Sequence, residues 1–219
     1  MESTLSILQE HLPKALADTG LMVAVSTVVG ILFGTLIGLL LFFTSSPLFA
    51  KRPVINSIAG FLVNGLRSLP FLILLVVLIP FLALLFGDPY TPLGGAAALS
   101  IAAIPFFARI AEGAFAEINH GILEAAVASG AGPGLIIREV ILPESLPALV
   151  RGVVLTIISL LGYSAMVGTI GAGGIGDLAI QYGYYRYETL VLVIIIVLLI
   201  IFVQLIQWLG DRLAEHLTK

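Results

Sequence analysis

The sequence predicts an all-α, polytopic membrane protein with five transmembrane helices, and three observations carry that expectation. Of 219 residues, 59% are hydrophobic and only 11% charged, where soluble domains carry about 25% charge. Mean hydropathy is +1.15. Five separate stretches reach the roughly 20 apolar residues that a helix needs to cross a hydrocarbon core, in which no backbone polar group can be left unpaired.

The N-terminal segment, 1–18, carries Glu2, Glu10 and Asp18 against a single Lys14, the wrong charge for the front of a cleaved signal. Leu5, Leu8, Leu12 and Leu16 recur at spacings of three and four, so it is expected as a short amphipathic helix at the outer interface. The first span follows at about 21–43. There Gly30, Gly34 and Gly38 share one helix face, which suits close packing against a neighbouring backbone within the bundle. The second span, about 58–86, is long enough to tilt or bend, and Pro70 and Pro80 offer places to do so. The third, fourth and fifth are expected at about 93–110, 149–167 and 190–209.

Lys and Arg accumulate on the cytoplasmic side of membrane proteins. In a five-span topology Lys51, Arg52, Arg67, Arg109, Arg138, Arg151, Arg212 and Lys219 fall on one side and Lys14 and Arg186 on the other. That asymmetry places the N-terminus outside and the C-terminus in the cytoplasm. The stretch 111–148 is then a large cytoplasmic loop, and all 219 residues form one membrane domain.

Composition also excludes several functions. The net charge is -3 with the cations dispersed, so there is no basic patch for nucleic acid. The absence of cysteine removes disulfides, Cys-ligated zinc and thiolate catalysis. His11, His120 and His216 lie in three separate polar segments without metal-ligand spacing and read as solvated surface residues. Gly171, Gly173 and Gly176 match the glycines of a dinucleotide-binding turn, but a membrane span precedes them where a strand is required, so a flexible outer turn is expected. No P-loop sequence occurs, so ATP could be used only through a partner. Asn64 and Arg67, near one end of the second span, and Arg109, in the third, are expected as snorkelling anchors.

The cytoplasmic loop contains ILEAAVASGAGPGLIIREVILPESLPALV. Gly121 and Gly130 bracket a short helix, Leu123 to Ser129, whose alanines let another protein approach. A second short helix, about Leu135 to Ile141, should end where Pro143 forbids continuation. Glu124, Ala125 and Ala126, then Gly130, then Val140, Leu142 and Pro143 reproduce the spacing of the EAA motif of permease subunits of ABC importers, with Val140 where that family usually has Ile. Here the resemblance becomes specific. It extends from about Leu21 to the C-terminus and is nearest to methionine-uptake permeases. The stretches that carry it are NGLRSLPFLILL (Asn64 to Leu75), AAIPFFARIAEGAFAEI (Ala102 to Ile118) and GYSAMVGTIGAGGIGDLAIQYGYYRYE (Gly162 to Glu188).

The resemblance implies an inner-membrane permease that is not itself an enzyme. It implies a homodimer, two ATP-binding subunits contacted through the EAA loop, and an extracytoplasmic substrate-binding protein that delivers a small amino acid, methionine in its L or D form. The permease itself would need no cofactor, ATP being held by the partner. In the fourth span, Tyr163, Ser164 and Met166 are candidates for a translocation gate, since two adaptable thioethers could close a narrow path; core packing is the alternative for Met166. An importer of another small amino acid or a quaternary amine, or an ATP-independent channel or secondary carrier, are the competing functions.

Overall fold

The computed structural model describes residues 2–49 and 51–217, and among them there is no strand. The elements in chain order are α1 (Glu2–Ser45), α2 (Pro53–Ser68), α3 (Phe71–Phe86), α4 (Pro92–Ala116), α5 (His120–Ala128) and α6 (Pro133–Ile136). There follow a π-helical turn π1 (Ile137–Ile141), α7 (Leu142–Thr169), α8 (Gly174–Leu178), a second π-helical segment π2 (Ala179–Tyr185) and α9 (Thr189–Leu217). Four helical runs are long and apolar enough to cross a membrane, and the bent pair α2–α3 makes a fifth.

The N-terminal amphipathic segment and the first span form one continuous helix, with Pro13 inside it. No residue between 16 and 21 breaks the backbone ladder. The glycine face of α1 seats α4. A Cβ on Gly30, Gly34 or Gly38 would stand 2.7, 2.9 or 2.8 Å from the Cβ of Ala103, Phe107 or Ala111. The partners advance in step, so the two helices run parallel at a backbone distance that only glycine permits.

The second span is broken. Its halves α2 and α3 meet at 104°, and Leu69 and Pro70 between them are extended. Pro70 accounts for the break: it has no N–H to offer α2, it pushes Leu69 out of the helical region, and it starts α3. Pro80 lies within α3 without ending it.

Pro143 does not terminate a helix. The helical run is continuous from Pro133 to Thr169, and Pro143 sits in the first turn of α7. Just before it the Leu142 N–H reaches back five residues to the Ile137 carbonyl. This wider π turn inserts a residue and relieves the clash of the proline ring with the preceding turn.

Three apolar clusters hold the bundle. One, around Met22, Leu75, Leu99 and Val167, joins α1, α3, α4 and α7. A second, around Phe42, Phe107, Phe115, Leu123 and Ile141, sits at the end that carries α5. A third, around Leu8, Ile175, Val191 and Ile195, lies at the opposite end. α9 buries only Val191, Ile195, Gly210 and Ala214. Its remaining apolar surface suits lipid or another subunit.

Candidate functional site

The short helix α5 lies outside the long helices. Asn119 caps its start, its Oδ1 accepting the Gly121 N–H at 2.8 Å, so an orphan amide is satisfied as at other N-caps. The end is set by Gly130, whose φ of 77° is the left-handed conformation that a glycine supplies without a Cβ clash. Its N–H reaches the Val127 carbonyl at 3.0 Å.

α5 holds on by one fully buried side chain. Leu123 is 3% exposed and belongs to the cluster of Phe115, Ile118, Ile136, Ile141 and Leu149. Ala126, Val140 and Leu142 pack against the same cluster, half-buried, while Glu124, Ala125, Gly130 and Pro143 are exposed. The seven motif residues thus divide into an apolar half that fixes α5 to α4 and α7 and a small or acidic half facing outward. Glu124 Oε1 lies 3.7 Å from Nδ1 of His120, one turn earlier. The outer face carries the small Ala125 and Ala128 beside the exposed Glu124, a low surface with one acidic side chain that another protein's groove can enclose.

A polar contact joins α4 to α2. Arg109 of α4 donates from Nε to Asn64 Oδ1 at 3.1 Å and from a terminal nitrogen to the Gly60 carbonyl at 3.3 Å. Its other terminal nitrogen pairs with Glu112. Arg109 is therefore a clamp joining α4 to α2, and Asn64 is its acceptor; neither acts as a snorkelling anchor. Both are polar residues within apolar runs, which was the signal in the sequence, but their pairing across 45 positions required the fold.

The three gate candidates on α7 have different surroundings. Tyr163 is half-buried, its ring stacked on Phe71 with centroids 4.9 Å apart and planes 12° from parallel. Ser164 is buried and donates to the Leu161 carbonyl at 2.7 Å. Met166 is 42% exposed. Tyr163 and Met166, one turn apart, share a face of α7, and Ser164 points into the bundle.

The 171–176 glycine segment is packed rather than loose. Gly171, Gly173 and Gly174 have positive φ, and Gly174, Ile175 and Gly176 are buried. The Ile175 N–H donates to Thr19 Oγ1 at 2.8 Å, and the backbone at Gly176 lies against Gly168 and Ala165. Close backbone approach explains the glycines without any dinucleotide. Among the described residues no group of His, Cys, Asp and Glu could hold a metal ion.

A helical bundle with a short external helix between its third and fourth membrane segments is matched in known proteins. Residues 30–218 match the family of binding-protein-dependent transport system inner membrane components. The chain belongs to this family. It is 41% identical over 196 residues to a probable D-methionine transport system permease protein MetI of Vibrio cholerae, spanning 90% of this chain and 87% of that one. It is 38% identical to the methionine import system permease protein MetP of Bacillus subtilis, over 82% and 81% of the two chains. A chain of the MetNI methionine ABC transporter, solved in inward-facing conformations, superposes with a TM-score of 0.93 at 39% identity over the full length of both. As a member of this family the chain is a membrane transport component and not an enzyme.

Proposed function

We propose that this chain is the permease subunit of an ATP-driven, binding-protein-dependent methionine importer. The observation that carries the reading is the full-length correspondence with a chain of the MetNI transporter. It is supported by methionine permeases among the relatives of both a Gram-negative and a Gram-positive bacterium. In this reading two copies form the path, two ATP-binding subunits hold the nucleotide, and a substrate-binding protein delivers the amino acid from outside.

The α5 end is the cytoplasmic end. Lys51, Arg52, Arg138 and Arg212 lie at that end and Lys14 and Arg186 at the other, as the distribution of basic residues in membrane proteins favours. The exposed Glu124, Ala125 and Gly130 meet the ATP-binding subunit. Ala126, Val140 and Leu142 fasten α5 to the helices it moves, and the exposed Pro143 lies in the first turn of α7. Tyr163 and Met166 face the path and Ser164 holds the α7 backbone behind them. The subunit shifts between two conformations that ATP and the binding protein favour differently.

The test is uptake of labelled methionine into proteoliposomes, omitting one component at a time. The importer reading requires uptake only when this chain, its ATPase, its binding protein and ATP are all present. Uptake by this chain alone would replace it with a channel or carrier. Binding-protein-stimulated ATP hydrolysis without methionine uptake would keep the architecture and change the cargo to another small amino acid or quaternary amine.

A further inference from the structure

The break in the second span opens onto a cavity of about 150 Å³ whose lining includes Arg67, Phe71, Leu74, Ala102, Phe106 and Tyr163. Ala102 and Phe106 belong to the middle third of α4, so the cavity lies at the depth of the bundle centre. An arginine in such a segment is costly unless it is paired or serves a polar path. Arg109 satisfies that requirement with Asn64, Gly60 and Glu112. Arg67, three residues after Asn64, makes no hydrogen bond or ion pair among the described residues, and neither does the Tyr163 hydroxyl.

The cavity thus has one cation, one free phenol hydroxyl and walls that are otherwise apolar and aromatic. Its wall is firm: Phe71 and Tyr163 are stacked, and Phe71 and Leu74 are buried. It contains no carboxylate. A cation would therefore find no counter-group there. A carboxylate would meet the guanidinium, whose planar fork matches it, while an unbranched apolar side chain would lie against the rings.

We propose that this cavity is a transit site for the translocated amino acid, in which Arg67 receives the α-carboxylate and Phe71, Phe106 and Tyr163 receive the apolar side chain. The proposal rests on the importer reading and adds to it where in the membrane the solute pauses and by which group it is held. With a single ion pair and no partner for the ammonium group, the site binds weakly, as a site that must also release its occupant should. The extended Leu69–Pro70 link lets α3 move against α2 and open or close the cavity without breaking a helical ladder.

The absence of cysteine permits a local test on the permease assembled with its ATPase. Ala102→Cys and, independently, Leu69→Cys place a thiol on the cavity wall. Its modification by methyl methanethiosulfonate is followed by mass spectrometry of this chain, with L-methionine or L-methioninamide as the probe. L-Methionine should slow modification about ten-fold at roughly ten times its Kd, and the amide, lacking the carboxylate, should not. Arg67→Gln in either background should raise the protecting concentration by about ten-fold or more, and Arg67→Lys by less. Protection that persists in Arg67→Gln, or that the amide gives equally, would overturn the site, since it would come from a conformational change driven elsewhere. Absence of protection at both thiols in a preparation that imports methionine would overturn the site and leave the importer reading standing. A preparation of the unsubstituted chain that imports no methionine under any combination of partners would overturn both.

Discussion

The hydroxyl of Tyr182 lies 2.7 Å from Nε2 of His11, a residue 171 positions earlier. Their rings are 5.0 Å apart, and the Arg186 guanidinium lies 4.4 Å from the centre of the Tyr182 ring. This contact ties the start of α1 to π2 at the end opposite α5. Tyr182→Phe keeps both ring contacts and removes the hydroxyl, so it should destabilise the detergent-solubilised protein by about 0.5–1.5 kcal/mol. A double-mutant cycle with His11→Phe checks this; additive losses would mean that the two side chains do not interact.

The α1–α4 packing predicts opposite effects of one substitution at two sites. Gly34→Ala brings a Cβ to 2.9 Å from Phe107 Cβ and 3.0 Å from the Ala108 nitrogen, and should cost about 1–3 kcal/mol through forced separation of the helices. Gly20→Ala, in the same helix with nothing within 4 Å, should stabilise by about 0.5–1 kcal/mol through helix propensity. Thermal unfolding in one detergent compares them.

Arg109 and Glu112 are each mostly shielded, with side chains 25% and 21% exposed. Arg109→Gln leaves Glu112 unpaired and α2 untied, and should cost about 3–5 kcal/mol, while Arg109→Lys should recover only part, because one ammonium cannot reach three partners. Adding Glu112→Gln to Arg109→Gln should restore part of the loss by removing the unpaired charge. Yield of folded monodisperse protein and its melting temperature report both effects.

Gly130→Ala places a Cβ at φ 77°, at a cost of about 1–2 kcal/mol, paid at the end of α5 with open space around it. The chain should still fold. Uptake per ATP hydrolysed should fall, and Gly130→Asn, which tolerates the left-handed region better, should fall less. Equal uptake-to-hydrolysis ratios in all three proteins would remove Gly130 from the coupling element.

Much of this architecture was legible because lipid imposes simple rules: long apolar runs become helices, and the Gly30, Gly34, Gly38 face signals a close neighbour. The left-handed turn at Gly130 closes the short helix as expected, but its start lies at the Asn119 cap, which leaves Gly121 inside the first turn of α5 rather than before it. Prolines were the weaker guide. Pro70 breaks a span, Pro80 does not, and Pro143 is absorbed by a π turn, because the outcome depends on whether neighbouring backbone can supply the missing hydrogen bond. The polar residues in the spans were visible, but whether each was paired was not. Arg109 and Arg67 look alike in the sequence, and only the fold separates the clamp from the unpaired cation. His11 and the 171–176 glycines were likewise expected at a loose surface, since nothing local signals contacts made across most of the chain.

The most direct test of the central claim is a cross-link from the exposed face of α5. Ala125→Cys introduces the sole thiol of this chain, and a matching cysteine is placed in turn along the groove of the ATP-binding subunit. The account predicts a disulfide between the two subunits at one groove position, ATP-dependent methionine uptake that stops when it forms, and recovery on reduction. Failure to cross-link anywhere on the ATPase, with uptake unchanged by Glu124 and Gly130 substitutions, would contradict the claim that α5 couples this permease to its energy source.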